Sequence, residues 1–411
     1  MLRRYPSAAA PLLATLLSAQ ASPLFAQSES PIEFSGHGEL QNRLFFQRGD
    51  FYLPDQAEQE YSYRSLSISP QWRAELDRNN AFTLRPFARH DLDDSSSTHA
   101  DLREALWQHL DGVQEWRIGV DEVFWGVVES RHLVDVINQK DYLERIDGDA
   151  KLGQPLLNWN WRGRRSSVEL FWLPLFREQA FADPGGRFRP PLPVADADYL
   201  NGANQHDGSA AIRWQYSGSG TDLALSYFDG IDREPLYIIA NDPLRGLYIE
   251  PTYQSFAQWG LEAQQANGNW LFKSEAIYRD TDNSLDRNSW AGVAGLEYTF
   301  SDMLGGDLGL MFEYLRDSRE RQPADTFQDD LFVGLRYNAY SLASTQILAG
   351  FYQDRRHSGH IFKLKADTRV AERFKLAAEL WFFDDLQQDE LASFFHRDDY
   401  FEMSLQYFWS R

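Results

Sequence analysis

The 411-residue chain contains no cysteine. That excludes a disulfide scaffold, a thiol nucleophile and a zinc–thiolate site. Basic charge is also scarce, with 40 Lys and Arg against 61 Asp and Glu and a net charge of −21. Nucleic acid is therefore not an expected partner, because phosphate binding needs a basic face. Long hydrophobic runs are missing as well. Beyond the N-terminal segment the longest uninterrupted apolar stretch is Leu170–Phe176, which contains Pro174. A spanning helix needs about 20 such residues, so a helical membrane protein is excluded. What the chain does hold is aromatic side chains, 13 Trp, 19 Tyr and 28 Phe, within 43% hydrophobic residues. That is too apolar for a disordered chain.

Residues 1–21 read as a signal peptide. Arg3 and Arg4 form a basic start, Ala8–Leu17 an apolar stretch interrupted by Pro11, and Ala19-Gln20-Ala21 a small-x-small cleavage site. Ala26 is a second candidate. Residues 22–411 are then a single domain. An exported chain without a spanning helix is either soluble or a transmembrane β-barrel, and a barrel demands period-2 alternation.

The alternation is present. In Ser65–Leu76 one face is Leu66, Ile68, Pro70, Trp72, Ala74 and Leu76, the other Ser65, Ser67, Ser69, Gln71, Arg73 and Glu75. Phe362–Val370, Ala210–Tyr216 and Leu308–Tyr314 split in the same way, with every mid-strand charge on one face. Soluble sandwiches also alternate, but their strands are usually five or six residues. Many of these run nine to twelve residues, the length a tilted strand needs to cross a bilayer. Trp116, Trp270, Trp290, Tyr298 and Phe300 sit at strand ends, where interfacial girdles belong.

The connections give an independent reading. Short turns are predicted at residues 77–81, 111–115, 163–166, 217–221, 266–269, 301–307, 341–345 and 370–374. Longer, mostly acidic loops fall at 47–62, 91–101, 124–154, 178–207, 230–252, 279–288, 317–329, 353–360 and 384–399. The two kinds alternate strictly, which predicts an all-β, antiparallel up-and-down barrel of about eighteen strands, within two, in the outer membrane of a Gram-negative bacterium. Strand 102–110 also reads at helical spacing. In the last strand Phe401, Met403, Leu405, Tyr407 and Trp409 alternate with Glu402, Ser404, Gln406 and Phe408, followed by Ser410 and Arg411. This resembles the terminal aromatic signature of outer-membrane barrels, and it implies the barrel-assembly machinery as a partner besides the membrane lipid.

The alternation also predicts which charges line the lumen. Arg43, Arg73, Arg85, Arg89, Arg117, Arg162 and Arg213 come from the first half. Glu262, Glu275, Glu297, Glu313 and Glu379, with Lys273, Arg336, Lys363, Lys365 and Arg369, come from the second. An arginine-rich wall facing a mixed, acidic one would orient polar solutes. The alternative is that these charges pair with each other or with loops. Residues 124–154 form a long connection with an apolar segment of its own, Leu133–Ile137. Such a loop is packed or functional. Folding into the lumen would bury Trp125 and Leu133, with Arg85, Arg89 and Arg117 as partners for Asp135 and Asp141.

Asp121, Trp125-Gly126, Asp135-Val136-Ile137-Asn138 and Asp141 resemble a motif of proteobacterial outer-membrane barrels distantly similar to alginate-export porins, with Gln139 where that motif usually has proline. Glu169, Leu173-Pro174 and Phe176-Arg177-Glu178 are similar to its later part. The resemblance implies a solute or polymer channel and makes Trp125, Gly126, Asp135, Asn138 and Asp141 the constriction-loop candidates.

The function expected is passive diffusion of small polar or anionic solutes. A plugged or accessory barrel serving an exporter or a surface role is the alternative, and Glu178–Asp207, with four prolines, is the loop that would suit it. An enzyme is not expected. His90, His99, His357, His360 and His396 fall in or near the long loops without a nucleophile motif, and Gly218-Ser219-Gly220 lies in a short turn rather than a strand–elbow–helix. The acidic groups Asp91, Asp93 and Asp94, and Asp147 with Asp149, lack the ligand pattern of a calcium loop. No metal and no cofactor are expected, and an oligomer is compatible with the sequence but marked by no contact.

Overall fold

The computed structural model describes residues 32–48, 61–183, 186–244, 246–281, 288–319, 327–356, 358–386 and 395–411. The signal-peptide expectation, residues 1–21 with Ala26 as the alternative boundary, lies outside them, as does His357. The strands are β1 (Ile32–Phe45), β2 (Ser62–Glu75), β3 (Asn80–Asp91), β4 (His99–Asp111), β5 (Gln114–Asp121), β6 (Gln154–Arg162), β7 (Ser166–Leu173), β8 (Asp198–Tyr199), β9 (Ser209–Gly218), β10 (Thr221–Ile231) and β11 (Leu236–Asp242). They continue with β12 (Gly246–Tyr253), β13 (Ser255–Asn267), β14 (Trp270–Thr281), β15 (Ser289–Met303), β16 (Gly306–Asp317), β17 (Asp329–Ala339), β18 (Gln346–Asp354), β19 (His360–Ala371), β20 (Phe374–Asp384) and β21 (Tyr400–Ser410).

Eighteen of these form one antiparallel sheet, each strand bonded to its neighbours in sequence, and β1 pairs with β21 to close the ring. The expected strand number is therefore correct, and the eight short turns and nine long connections fall where the alternation put them. The remaining three, β8, β11 and β12, make a small separate sheet within the two loops that follow β7 and β10. Among the described residues no helix is long and apolar enough to cross a membrane.

Burial is inverted relative to a water-soluble barrel. Ser65, Ser67 and Ser69 are buried, whereas Leu66 and Ile68 between them are 41% and 44% exposed. The same holds on β10 and β13, where Ser226, Gln258 and Glu262 are buried and Leu225, Trp259 and Leu261 face outward. In these strands alternation thus places polar groups inside and apolar ones outside.

The strand that also read at helical spacing, β4, is extended, and its ambiguity has a physical cause. Its pairing with β3 shifts register between Arg85–Glu104 and Pro86–Leu102. Such a bulge switches the face of every later residue. Arg103, the extra residue between Leu102 and Glu104, is buried, as is Leu106 beyond the bulge, while Leu102 stays outside. The period-2 signal is broken there, and Pro86 sits at the irregularity where its missing N–H costs least.

Candidate functional site

The connection between β5 and β6, residues 122–153, runs inside the barrel. Val123, Trp125, Val128, Leu133, Val134, Val136 and Ile137 are all buried and share one apolar cluster with Leu106, Phe171, Phe228, Ile277 and Met311 of the strands. An eighteen-stranded barrel has room for water inside; here, at the level of this loop, much of that room is filled by side chains.

The candidate motif residues hold the loop together. Asn138 Oδ1 accepts from the Val123 N–H at 2.9 Å, and its Nδ2 donates to the Asp121 and Leu152 carbonyls at 2.9 Å each. One side chain thus ties the start of the loop to its end. Asp135 pairs with Lys151 at 2.5 Å, and the Lys151 ammonium also donates to the Val123 carbonyl at 2.7 Å. Trp125 lies under the Arg213 guanidinium at 5.3 Å and edge-on to Phe171. Gly126 has φ +139°, and a Cβ there would fall 2.8 Å from His132 and 3.0 Å from Glu275, so only glycine fits.

Two wall carboxylates grip the backbone of the loop. Glu275 Oε1 accepts from the N–H groups of Val127 and Val128, at 2.7 and 3.2 Å. Its Oε2 accepts from those of Leu133 and Val134, at 2.7 and 3.3 Å. Glu313 takes the N–H groups of Glu129 and Ser130, both at 2.8 Å. Hydrogen bonds to a charged acceptor are the strong kind. They satisfy loop donors that would otherwise be orphaned inside the barrel.

The expected partners of the loop acids are corrected. Asp141 binds Arg103 at 2.5 Å and lies 3.4 Å from His99, neither of which the sequence marks as its partner. Arg89 instead holds Glu144 through two parallel bonds of 2.6 and 2.8 Å. Arg85 binds Glu122 at 2.7 Å, and Arg117 binds Asp121 on its own strand. The bulge in β4 explains the miss: it turns Arg103 inward at a place where alternation cannot be followed.

The other lumen candidates are placed as follows. Arg43 pairs with Glu402 at 2.7 Å, and Arg213 with Glu262 at 2.7 Å. Glu297 lies 3.4 Å from Arg336 and 3.6 Å from Lys273, and Arg336 also binds Glu129. Glu379 binds Arg145, and Lys365 binds Asp147 and Asp149. Among the described residues Arg73 has only long contacts, 3.4 Å to Thr83 and to Gln108. Arg162 and Arg369 are exposed beside short turns, Arg162 with Glu115 and Arg369 on the Glu372 carbonyl. Lys363 is buried against the Tyr352 and Phe332 rings. Pairing therefore accounts for most of these charges.

Burial works against ionisation of Asp141, but the neighbouring His99 ring and the Arg103 charge outweigh it and hold this carboxyl at about 2. Asp147 is likewise held well below the usual range, burial being overcome by Lys365 and Arg145.

A second loop roofs the barrel. Its described residues, 174–183 and 186–208, follow β7, yet Arg187 pairs with Asp398 at 2.6 Å beside β21, and Phe188 packs on Phe45 and Tyr400. Between this roof and the infolded loop lies a cavity of about 890 Å³.

No family model matches the sequence, and no curated protein matches it. Among solved structures the chain is similar to OpdO of Pseudomonas aeruginosa, at 10% identity and a TM-score of 0.53, over 92% of this chain and 96% of that one. It is also similar to a BenF-like porin from Pseudomonas fluorescens Pf-5, at 10% identity and a TM-score of 0.52, over 92% and 97%. At this identity the likeness is one of fold.

Proposed function

We propose that the chain is an outer-membrane channel of a Gram-negative bacterium that lets small polar and anionic solutes diffuse across, without chemistry or an energy source. The observation that carries this reading is the inverted burial of a closed ring: serines and ionised side chains inside, Leu66, Ile68, Leu225 and Trp259 outside. A closed sheet leaves no unpaired edge for lipid to meet, and water would be a poor solvent for so large an apolar belt. The shared fold with a BenF-like porin adds support.

The long loops then face outward from the cell and the short turns face the periplasm. Residues 122–153 form the constriction, and selection rests on the cations around it. Single-channel conductance of the refolded protein in a planar bilayer, with reversal potential under a salt gradient, tests this. A steady, anion-preferring conductance is expected.

A specific observation favours a second reading. The infolded loop has its own apolar core, and Glu275 and Glu313 clamp its backbone, as suits a plugged barrel with an accessory role. A silent barrel that still runs heat-modifiably on a gel would select that reading.

A further inference from the structure

The roofed cavity at the mouth of the barrel has a chemistry of its own. Its walls include Phe45, Tyr352, Trp381, Phe383, Phe327 and Phe395. Five of the acids around it are already matched. Asp135 is paired with Lys151, Asp147 and Asp149 with Lys365, Glu129 with Arg336, and Glu234 with Arg319 at 3.0 Å. Asp91 and Asp94 lie at the rim and accept from backbone and serine donors.

Two ammonium groups of the lining lack a carboxylate in direct contact, although the Tyr352 hydroxyl and, from farther off, Asp147 and Glu129 act on Lys363, and Glu234 and Asp135 on Lys140. Among the described residues no carboxylate lies within 4.0 Å of Lys363 or of Lys140. Lys363 is only 6% exposed, and its Nζ sits 5.5 Å from the Tyr352 ring centre and 5.7 Å from that of Phe332. Its stem occupies space kept open by Gly350, where a Cβ would fall 3.1 Å from Lys363 Cε and 2.6 Å from the Phe332 ring. Direct contact with the Lys363 ammonium is therefore open to an anion that enters the cavity, and such a charge-assisted contact is of the strong kind.

We infer that this compartment binds an organic anion with one carboxylate on an apolar body, the carboxylate meeting Lys363 and the body lying against the aromatic walls. The volume of about 890 Å³ is in the range of small-molecule pockets, about 300–1,000 Å³. The inference deepens the channel reading by naming the class of solute, and it rests on that reading for its role. The walls exclude a small inorganic anion as the preferred occupant, because such an ion leaves the aromatic surface uncovered. The solute comes free from water, under the roof loop, rather than as the headgroup of a membrane lipid.

Calorimetry on the full mature chain in phosphatidylcholine nanodiscs tests this, with empty discs subtracted and sodium octanoate, sodium acetate and octanamide as probes. Octanoate is expected to bind at least roughly tenfold tighter than either control, and Lys363→Met to weaken it roughly tenfold, the worth of one charge-assisted contact. Lys363→Arg, which keeps the charge, is expected to retain most of the binding and serves if the methionine variant does not fold. Equal affinities for octanoate and acetate, or an unchanged affinity in a folded Lys363→Met barrel, overturn the inference. Binding that appears only when phosphatidylglycerol replaces phosphatidylcholine, without added octanoate, assigns the site to lipid and overturns it too. Because binding is read without current, a silent barrel that takes octanoate sinks the channel reading alone. A conducting barrel that does not take it sinks this inference alone.

Discussion

Glu275 shows what a single residue does here. Its carboxylate receives four backbone N–H groups of the infolded loop, and each buried donor left without a partner costs about 1–3 kcal/mol. In Glu275→Ala the loop is expected to leave its seat rather than bear that cost. Single-channel conductance should then rise; an unchanged conductance would show that the loop does not limit the pore. The arginines act through charge. Arg89 is bonded to Glu144 and Arg85 to Glu122, so Arg85→Ala with Arg89→Ala removes two cations and leaves both acids in place. Reversal potentials should shift toward cation preference, and unchanged selectivity would sink the assignment of these residues.

At the scale of elements the loop of residues 122–153 is a clipped insert. Asn138 bridges its two ends with three hydrogen bonds. Asn138→Ala should therefore expose the segment to protease while the barrel still migrates in its folded form. Acid acts on the same element. Asp141 titrates at about 2 in the folded chain against about 3.9 in an unfolded one. A depressed carboxyl contributes its stabilisation above the unfolded value and loses it as pH falls toward the folded one. Conductance is expected to stay constant from pH 7 to about pH 4 and to change below that, as the Arg103 and His99 anchors are lost. A change already complete at pH 5 would contradict the anchoring role of Asp141.

At the scale of the molecule the solvent of the outer face decides everything else. Leu225 is 52% exposed in the middle of β10. In lipid an arginine at the midplane costs about 2–4 kcal/mol, whereas in water an exposed substitution is usually within about 0.5 kcal/mol. Leu225→Arg measured by urea unfolding in vesicles is expected to show the larger loss, and a neutral result would remove the membrane reading. The cavity and its roof belong to this scale as well, because loops leaving β7 and β5 meet strands from the opposite side of the ring.

The ring itself was legible without coordinates. Strand number, turn positions and the inward face follow from period-2 alternation, which depends only on each residue's neighbours in sequence; at Arg103, where a bulge breaks that period, legibility stopped. The loop between β5 and β6 could be read as infolded from its apolar residues, but not its anchors. Glu275 and Glu313 bind backbone N–H groups, which every residue carries and which no sequence pattern marks. Pairings such as Arg89 with Glu144 and Arg187 with Asp398, far apart in the chain, arise only when closure of the barrel brings distant strands and loops together. Away from the bulge and the strand ends, sequence by itself determined which side chains face inward. Tertiary structure alone decided which of those charges meet an opposite charge directly and which, like Lys363, do not, because such contacts depend on distances across a closed interior.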